Sequence, residues 1–189
     1  MSAKENQRIA LTKRLLQEGL LTLLKNQPID KVSVTELCRI SGINRSTFYN
    51  HYISPQDVLS DLESNVSKDL MAITARHKPN LSSLDCIEEI CTYLKNHKNV
   101  TTILITFNAD TDLVEVFRKI EQHFASSQVP RPAPGDPETR HLASSFICTG
   151  FYYMIREWLI RDIQKTPREI AELALYFITN AAAYEGVMK

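Results

Sequence analysis

Residues 33–52 read Ser33-Val34-Thr35-Glu36-Leu37-Cys38-Arg39-Ile40-Ser41-Gly42-Ile43-Asn44-Arg45-Ser46-Thr47-Phe48-Tyr49-Asn50-His51-Tyr52. Ser33 followed by Glu36 is a capping box: the hydroxyl caps the third amide and the carboxylate reaches back. A helix therefore starts after Ser33, with Val34, Leu37, Cys38 and Ile40 expected on its inner face. Ser41-Gly42 stops it, since glycine accepts the left-handed conformation that ends helices. Ile43 fills the turn, and Asn44 can cap a third, short helix over residues 45–51. Two short helices joined by a tight glycine turn make a helix-turn-helix unit, whose second helix enters a DNA major groove. Phe48 and Tyr52 lie four apart and can pack inward, leaving Arg45, Ser46, Thr47 and Asn50 outward. Those types suit base edges: Arg pairs with guanine, Asn with adenine, and Thr touches a thymine methyl. Tyr49 and His51 are polar-tipped aromatics placed to reach phosphates. The helix start at Asn44 offers free amides and the positive end of its dipole to a phosphate.

The rest of the chain also reads as helix, about nine in all, because alternating β-branched patterns bounded by turns are missing. A first helix covers about 7–25, with Ile9, Leu16, Leu20, Leu23 and Leu24 on one face, and Asn26-Gln27-Pro28 ends it. A fourth opens at Ser54-Pro55-Gln56-Asp57 with an N-cap, a proline in the first turn and an acid, and runs to about Arg76. Further helices are expected at about 82–97, 99–107 and 110–126. The proline-rich stretch 126–137 is a loop. A long helix then runs from Pro137 to about Asp162. The capping box Thr166-Pro167-Arg168-Glu169 starts a last one, to about Glu185.

Composition narrows the class. The 189 residues are 43% hydrophobic and 23% charged, which is average for a globular domain and excludes a disordered chain. No apolar run approaches the roughly 18 residues of a membrane span, and the polar start Met1–Asn6 is no secretory signal, so a cytoplasmic protein with no membrane partner is expected. The net charge is zero, yet residues 1–53 carry eight basic side chains against four acidic ones, a net of +4, and the remainder carries −4. Such asymmetry marks the N-terminal quarter as the part that meets a polyanion. Cys38, Cys86, Cys91 and Cys148 show no metal-ligand or Cys-x-x-Cys spacing, and the five histidines form no i, i+4 pair. No metal or cofactor is implied. A nucleophile elbow, a P-loop and a dinucleotide fingerprint are missing, so the chain does not read as an enzyme.

The segment SVTELCRISGINRSTFYNHYISPQDVL resembles the DNA-binding domain of tetracycline-repressor (TetR) family regulators over about residues 7–60. It keeps the order of amphipathic first helix, second helix with Ser41-Gly42-Ile43, and Ser46-Thr47-Phe48-Tyr49-Asn50-His51-Tyr52. The resemblance implies an all-α protein, with a three-helix DNA-binding domain at 1–53 and a helical effector-binding and dimerisation domain at 54–189, joined through the connecting helix 54–76. It implies base or phosphate contacts from Arg45, Ser46, Thr47, Tyr49 and Asn50, and phosphate contacts from Thr35 and His51. The sequence departs from the family at Pro55, where a lysine is usual, so one phosphate clamp is missing. Affinity then leans on Arg45, Arg39 and an N-terminal arm with Lys4 and Arg8.

Residues 150–159, with Thr166-Pro167 and Glu169-Ile170, resemble the last two helices of many Gram-positive members, which pair with their copies in a four-helix bundle. The spacing agrees: Ile147, Phe151, Met154 and Trp158 form one stripe, and Leu173, Phe177 and Ala181 recur four apart on the last helix. These seven are the expected dimer interface, although the same stripe can serve a protomer core. A pocket for a small apolar or aromatic effector would lie between helices, with Phe107, Phe117, Phe124, Cys148 and Tyr152 as candidate lining. The function implied is a homodimeric regulator that binds a palindromic operator in double-stranded DNA, as a repressor released by an effector. The alternatives are control by a protein partner, or activation, with no small-molecule pocket.

Overall fold

The computed structural model describes residues 3–77, 83–107, 117–119 and 137–182. Among these there is no strand; the helices are α1 (Ala3–Leu24), α2 (Val34–Ser41), α3 (Arg45–Tyr49), α4 (Pro55–Arg76), α5 (Ser83–Asn96), α6 (Lys98–Phe107), α7 (Pro137–Ile160) and α8 (Pro167–Ala182). A 3-10 turn, Ile29–Lys31, sits between α1 and α2. The expected helix over 110–126 and loop over 126–137 fall outside the described residues, apart from a helical turn at 117–119. Among the described residues no helix is long and apolar enough to cross a membrane.

The chain divides into two compact units, Met1–Val66 and Ser67–Lys189. The division falls inside α4 rather than at its start. The reason lies in the first turns of α4, where Val58, Leu59 and Leu62 are buried and Asp61 bonds to side chains of the first unit.

In the first unit, α1 begins three residues into the chain, so Lys4 and Arg8 belong to a helix and not to an arm. Leu16, Leu20, Leu23 and Leu24 are buried, as their spacing requires. Helices α1 and α2 cross closely at Gly19: a Cβ there would stand 2.1 Å from Ser41 Oγ and 3.4 Å from Leu37 Cδ1. Ser41 Oγ is buried with no hydrogen-bond partner among the described residues, so the crossing selects small residues on both helices and leaves that hydroxyl unsatisfied there. Ile40, expected inside, is exposed on α2.

In the second unit, α8 lies along α5. Arg168 holds the pair together from the surface, donating to Glu88 at 2.7 Å and lying 3.4 Å from Asp85 Oδ1. The capping box at α8 is complete. Glu169 N–H donates to Thr166 Oγ1, and the Glu169 carboxylate accepts from the Thr166 amide at 2.8 Å and hydroxyl at 3.0 Å. Helix α7 buries Cys148, Tyr152, Ile155 and Leu159, an i, i+4, i+7, i+11 stripe. Trp158 is a core residue at 2% exposure, its indole N–H donating to the Lys165 carbonyl at 3.2 Å and its ring lying under the Lys95 ammonium. Of the stripe expected at the dimer interface on α7, Trp158 is inside the protomer, and Ile147, Phe151 and Met154 are half-buried. The open stripe is Leu142, Phe146 and Tyr153. Residues 142–160 are apolar on most sides, so neighbouring stripes share one periodicity and spacing alone does not choose among them. On α8, Leu173 and Phe177 are exposed as expected, joined by Tyr176.

Two outcomes are expected. Gly19→Ala should destabilise the first unit by about 1–3 kcal/mol through overpacking, Ser41→Ala should be neutral or stabilising by about 1 kcal/mol, and the double variant should recover most of the Gly19→Ala loss. Additive losses in denaturant titrations would contradict the crossing described. The second concerns acid. The Lys165 ammonium, with the Thr166 amide and hydroxyl, holds the Glu169 carboxyl down to about 2 from 4.5. A depressed carboxyl stabilises the fold above its unfolded value, and the contribution is lost as pH falls through the folded one. The Tm difference between wild type and Glu169→Gln should thus be full above pH 4.5 and close as pH falls toward 2; a constant difference would rule this out.

Candidate nucleic-acid interface

The recognition unit is assembled from short-range contacts. Ser33 Oγ accepts from Glu36 N–H at 3.2 Å and starts α2, while the Glu36 carboxylate turns to Gln27 Nε2 at 3.0 Å. Gly42 has φ +66°, and Ile43 N–H donates to the Cys38 carbonyl at 3.0 Å, closing the turn in the left-handed form. Asn44 then caps α3: its Oδ1 accepts from the Thr47 amide at 2.7 Å and the Ser46 hydroxyl at 2.8 Å. Both bonds orient α3, so Asn44 acts on that helix as its cap.

Phe48 is fully buried and anchors α3. Tyr49 stands edge-on to it at 5.4 Å and is half-exposed, and the Tyr52 ring lies tilted to it at 6.0 Å. Arg45, Ser46, Tyr49 and Asn50 are exposed together, Thr47 and His51 are half-buried, and Thr35 is exposed on the first turn of α2. Arg39 and Arg45 are exposed and form no ion pair among the described residues. Burial pushes the Cys38 thiol up against the opposing pull of Arg45, which keeps it a neutral packing group.

The start of α4 uses most of its own amides. Ile53 and Ser54 both donate their amides to Asp57 Oδ2, at 2.8 and 2.9 Å, Asp57 N–H donates to Ser54 Oγ, and Pro55 has no N–H. Where the family usually has a lysine, Pro55 thus begins a helix whose amides at Ile53, Ser54 and Asp57 are already engaged.

Of the expected pocket residues, Phe117, Cys148 and Tyr152 are buried. Phe117 meets Phe151 edge-to-face at 5.0 Å, and the Tyr152 hydroxyl donates to the Ile105 carbonyl at 3.4 Å. Phe124 lies outside the described residues, as does the side chain of Phe107. Ala181 lies on α8.

A family model described as the transcriptional regulator C-terminal region, of the TetR type, matches residues 82–180, just over half of the chain. The chain belongs to the TetR family of transcriptional regulators. The helix-turn-helix unit is thus this TetR-type chain's DNA-binding element. Comparison with curated sequences gives no match. Solved structures share the fold. A TetR transcriptional regulator from Streptococcus agalactiae 2603V is 17% identical with a TM-score of 0.65, over 94% of this chain and 99% of that one. The dihydroxyacetone kinase operon activator DhaS is 12% identical with a TM-score of 0.64, over 91% and 96%. Thermus thermophilus FadR, a TetR-family repressor in complex with lauroyl-CoA, is 13% identical with a TM-score of 0.53, over 94% and 95%.

Replacing the α3 cap by Asn44→Ala should lower stability by about 1 kcal/mol and loosen the start of the TetR recognition helix. Chemical denaturation gives the first quantity, and amide exchange at Thr47 the second. Unaltered exchange there would show that the cap does not order the helix.

Proposed function

We propose that the chain is a homodimeric, sequence-specific DNA-binding repressor that reads a palindromic operator with α3 and is released by a small apolar or aromatic effector. The observation that carries the DNA reading is the exposed set Arg45, Ser46, Tyr49 and Asn50 on a capped helix anchored by Phe48. In this reading Arg45 and Asn50 meet bases, Ser46 and Thr47 meet bases or phosphate, and Thr35, Tyr49, His51 and the amides after Asn44 hold the backbone. Arg39 adds a phosphate contact in place of the one that Pro55 removes.

The dimer reading rests on exposed apolar groups that a soluble protomer would otherwise leave in water: Phe146 at 76% and Phe177 at 59% exposure, with Leu142, Tyr153, Leu173 and Tyr176. Pairing of α7 and α8 with their copies would cover them and set the two reading heads roughly 34–36 Å apart, one helical turn of DNA. An effector in the second unit would act by favouring a dimer pose with another spacing. Thr102 Oγ1, buried on α6 without a hydrogen-bond partner among the described residues, is a polar group that such a ligand can satisfy. The fold occurs in an operon activator and in a repressor, so it leaves the sign of regulation to a reporter assay.

Selection of duplexes from a random pool tests the reading. A palindromic consensus should emerge, and Arg45→Ala should cost about 1–3 kcal/mol of affinity for it. Failure to select any sequence, or wild-type binding by both Arg45→Ala and Tyr49→Ala, would sink it. Phe146→Glu with Phe177→Glu should give monomers by sedimentation and weaken binding to the full palindrome.

A further inference from the structure

One carboxylate oxygen in the first unit collects three donors from outside its own helix. Asp61 Oδ2, in the second turn of α4, accepts from the Tyr52 hydroxyl at 2.6 Å, Lys13 Nζ at 3.2 Å and Gln17 Nε2 at 3.2 Å. Lys13 and Gln17 are one turn apart on α1, and the Lys13 ammonium also lies 5.2 Å from the centre of the Tyr52 ring. Tyr52 is three residues beyond α3 and bound to it, with its amide donating to the Phe48 carbonyl at 3.0 Å. Asn50 and His51 close the same turn through Ser46 and Phe48 carbonyls.

We propose that Asp61 is the positioning residue of the DNA-reading head, fixing the C-terminal end of α3 against α1 and α4 through Tyr52. The proposal rests on the DNA reading above and adds to it a group that touches no DNA. Asn44 fixes one end of α3 and Phe48 its middle; the Tyr52 hydroxyl is the polar tie at the other end. Aromatic packing alone restrains Tyr52 loosely, because a ring can tilt in its slot, whereas a short bond to a fixed carboxylate sets its direction. The same contact takes Lys13 out of the set of free cations.

The sign of one substitution separates positioning from electrostatics. Asp61→Asn keeps the volume and removes a negative charge from a head that meets a polyanion, so charge alone predicts tighter DNA binding. Positioning predicts the opposite, a loss of about tenfold, the scale of one hydrogen bond to a charged group. The probe is a duplex that the wild-type chain selects from a random pool, with affinities measured well below the thermal transition of each variant. Tyr52→Phe, which keeps the ring, should lose a similar factor, and the double variant should be no worse than Asp61→Asn alone. Asp61→Glu should recover part of the loss. Amide exchange in the DNA-free protein should rise at Asn50, His51 and Tyr52 in both single variants and stay unchanged in α2. Wild-type or tighter binding by Asp61→Asn, or unchanged exchange at residues 50–52, overturns the proposal. A failure of the DNA reading instead appears as a wild-type chain that selects no sequence, while the exchange measurement still decides the role of Asp61.

Discussion

A helix of five residues closes barely one turn and has no stability of its own, because nucleation fixes more dihedrals than its few hydrogen bonds repay. Helix α3 spans only Arg45–Tyr49, and it carries most of the side chains proposed to read DNA. Its order must come from outside, and each neighbouring element supplies a part. Asn44 closes the first turn, Phe48 is fully buried and anchors the middle, and Tyr52 reaches the Asp61 carboxylate on α4. The close crossing at Gly19 and Ser41 fixes α1 against α2, the helix that the Gly42 turn joins to α3. A rigid presentation matters for reading bases: a side chain that must reach an edge gains little if its helix is ordered only at binding.

The second unit solves a different problem. Helix α7 is apolar on two faces, and each face has separate work. The inner one, Cys148, Tyr152, Ile155 and Leu159, belongs to the protomer; the outer one, Leu142, Phe146 and Tyr153, is left open. The turn that brings α8 back along α5 is held by Trp158 and Lys95, both bonded to the Lys165 carbonyl. Asp162 takes a positive φ of 50° there and pairs with Lys98. A rigid turn keeps Leu173, Tyr176 and Phe177 presented on α8.

Legibility in the sequence follows the range of the interaction. The caps at Ser33, Asn44, Ser54 and Thr166 and the turn at Gly42 depend on residues within four positions of one another, and each is readable from the chain. The recognition motif is local for the same reason, so the family and the exposed face of α3 can be read before any coordinates. Which stripe of α7 turns inward depends on partners far away in sequence: Phe117 meets Phe151, the Tyr152 hydroxyl bonds to the Ile105 carbonyl, and Lys95 lies over Trp158. Asp61 gives no signal either: an acid on a helix next to solvent looks like any other, and its donors lie 9, 44 and 48 positions away. The extent of α1 was understated because Lys4, Glu5 and Asn6 are polar and carry no periodicity.

Charge shows how placement, and not a sum, makes a surface fit for a polyanion. The first structural unit, Met1–Val66, contains the eight basic residues of the N-terminal stretch and seven acidic ones, so its net charge is only +1. The three acids added by the first turns of α4 are Asp57, Asp61 and Glu63. Asp57 accepts the amides of Ile53 and Ser54, and Asp61 is bound by Tyr52, Lys13 and Gln17. Their charge is engaged inside the unit, at hydrogen-bond distance, where it is opposed locally. Arg45 on α3 and Arg39 on α2 stand exposed with no such partner among the described residues. A phosphate within a Debye length of such exposed cations, about 8 Å at physiological salt, responds to them more than to acids already bound to donors. A nearly neutral unit can therefore offer a basic reading surface, and the acids that make it neutral are among the groups that hold that surface in place.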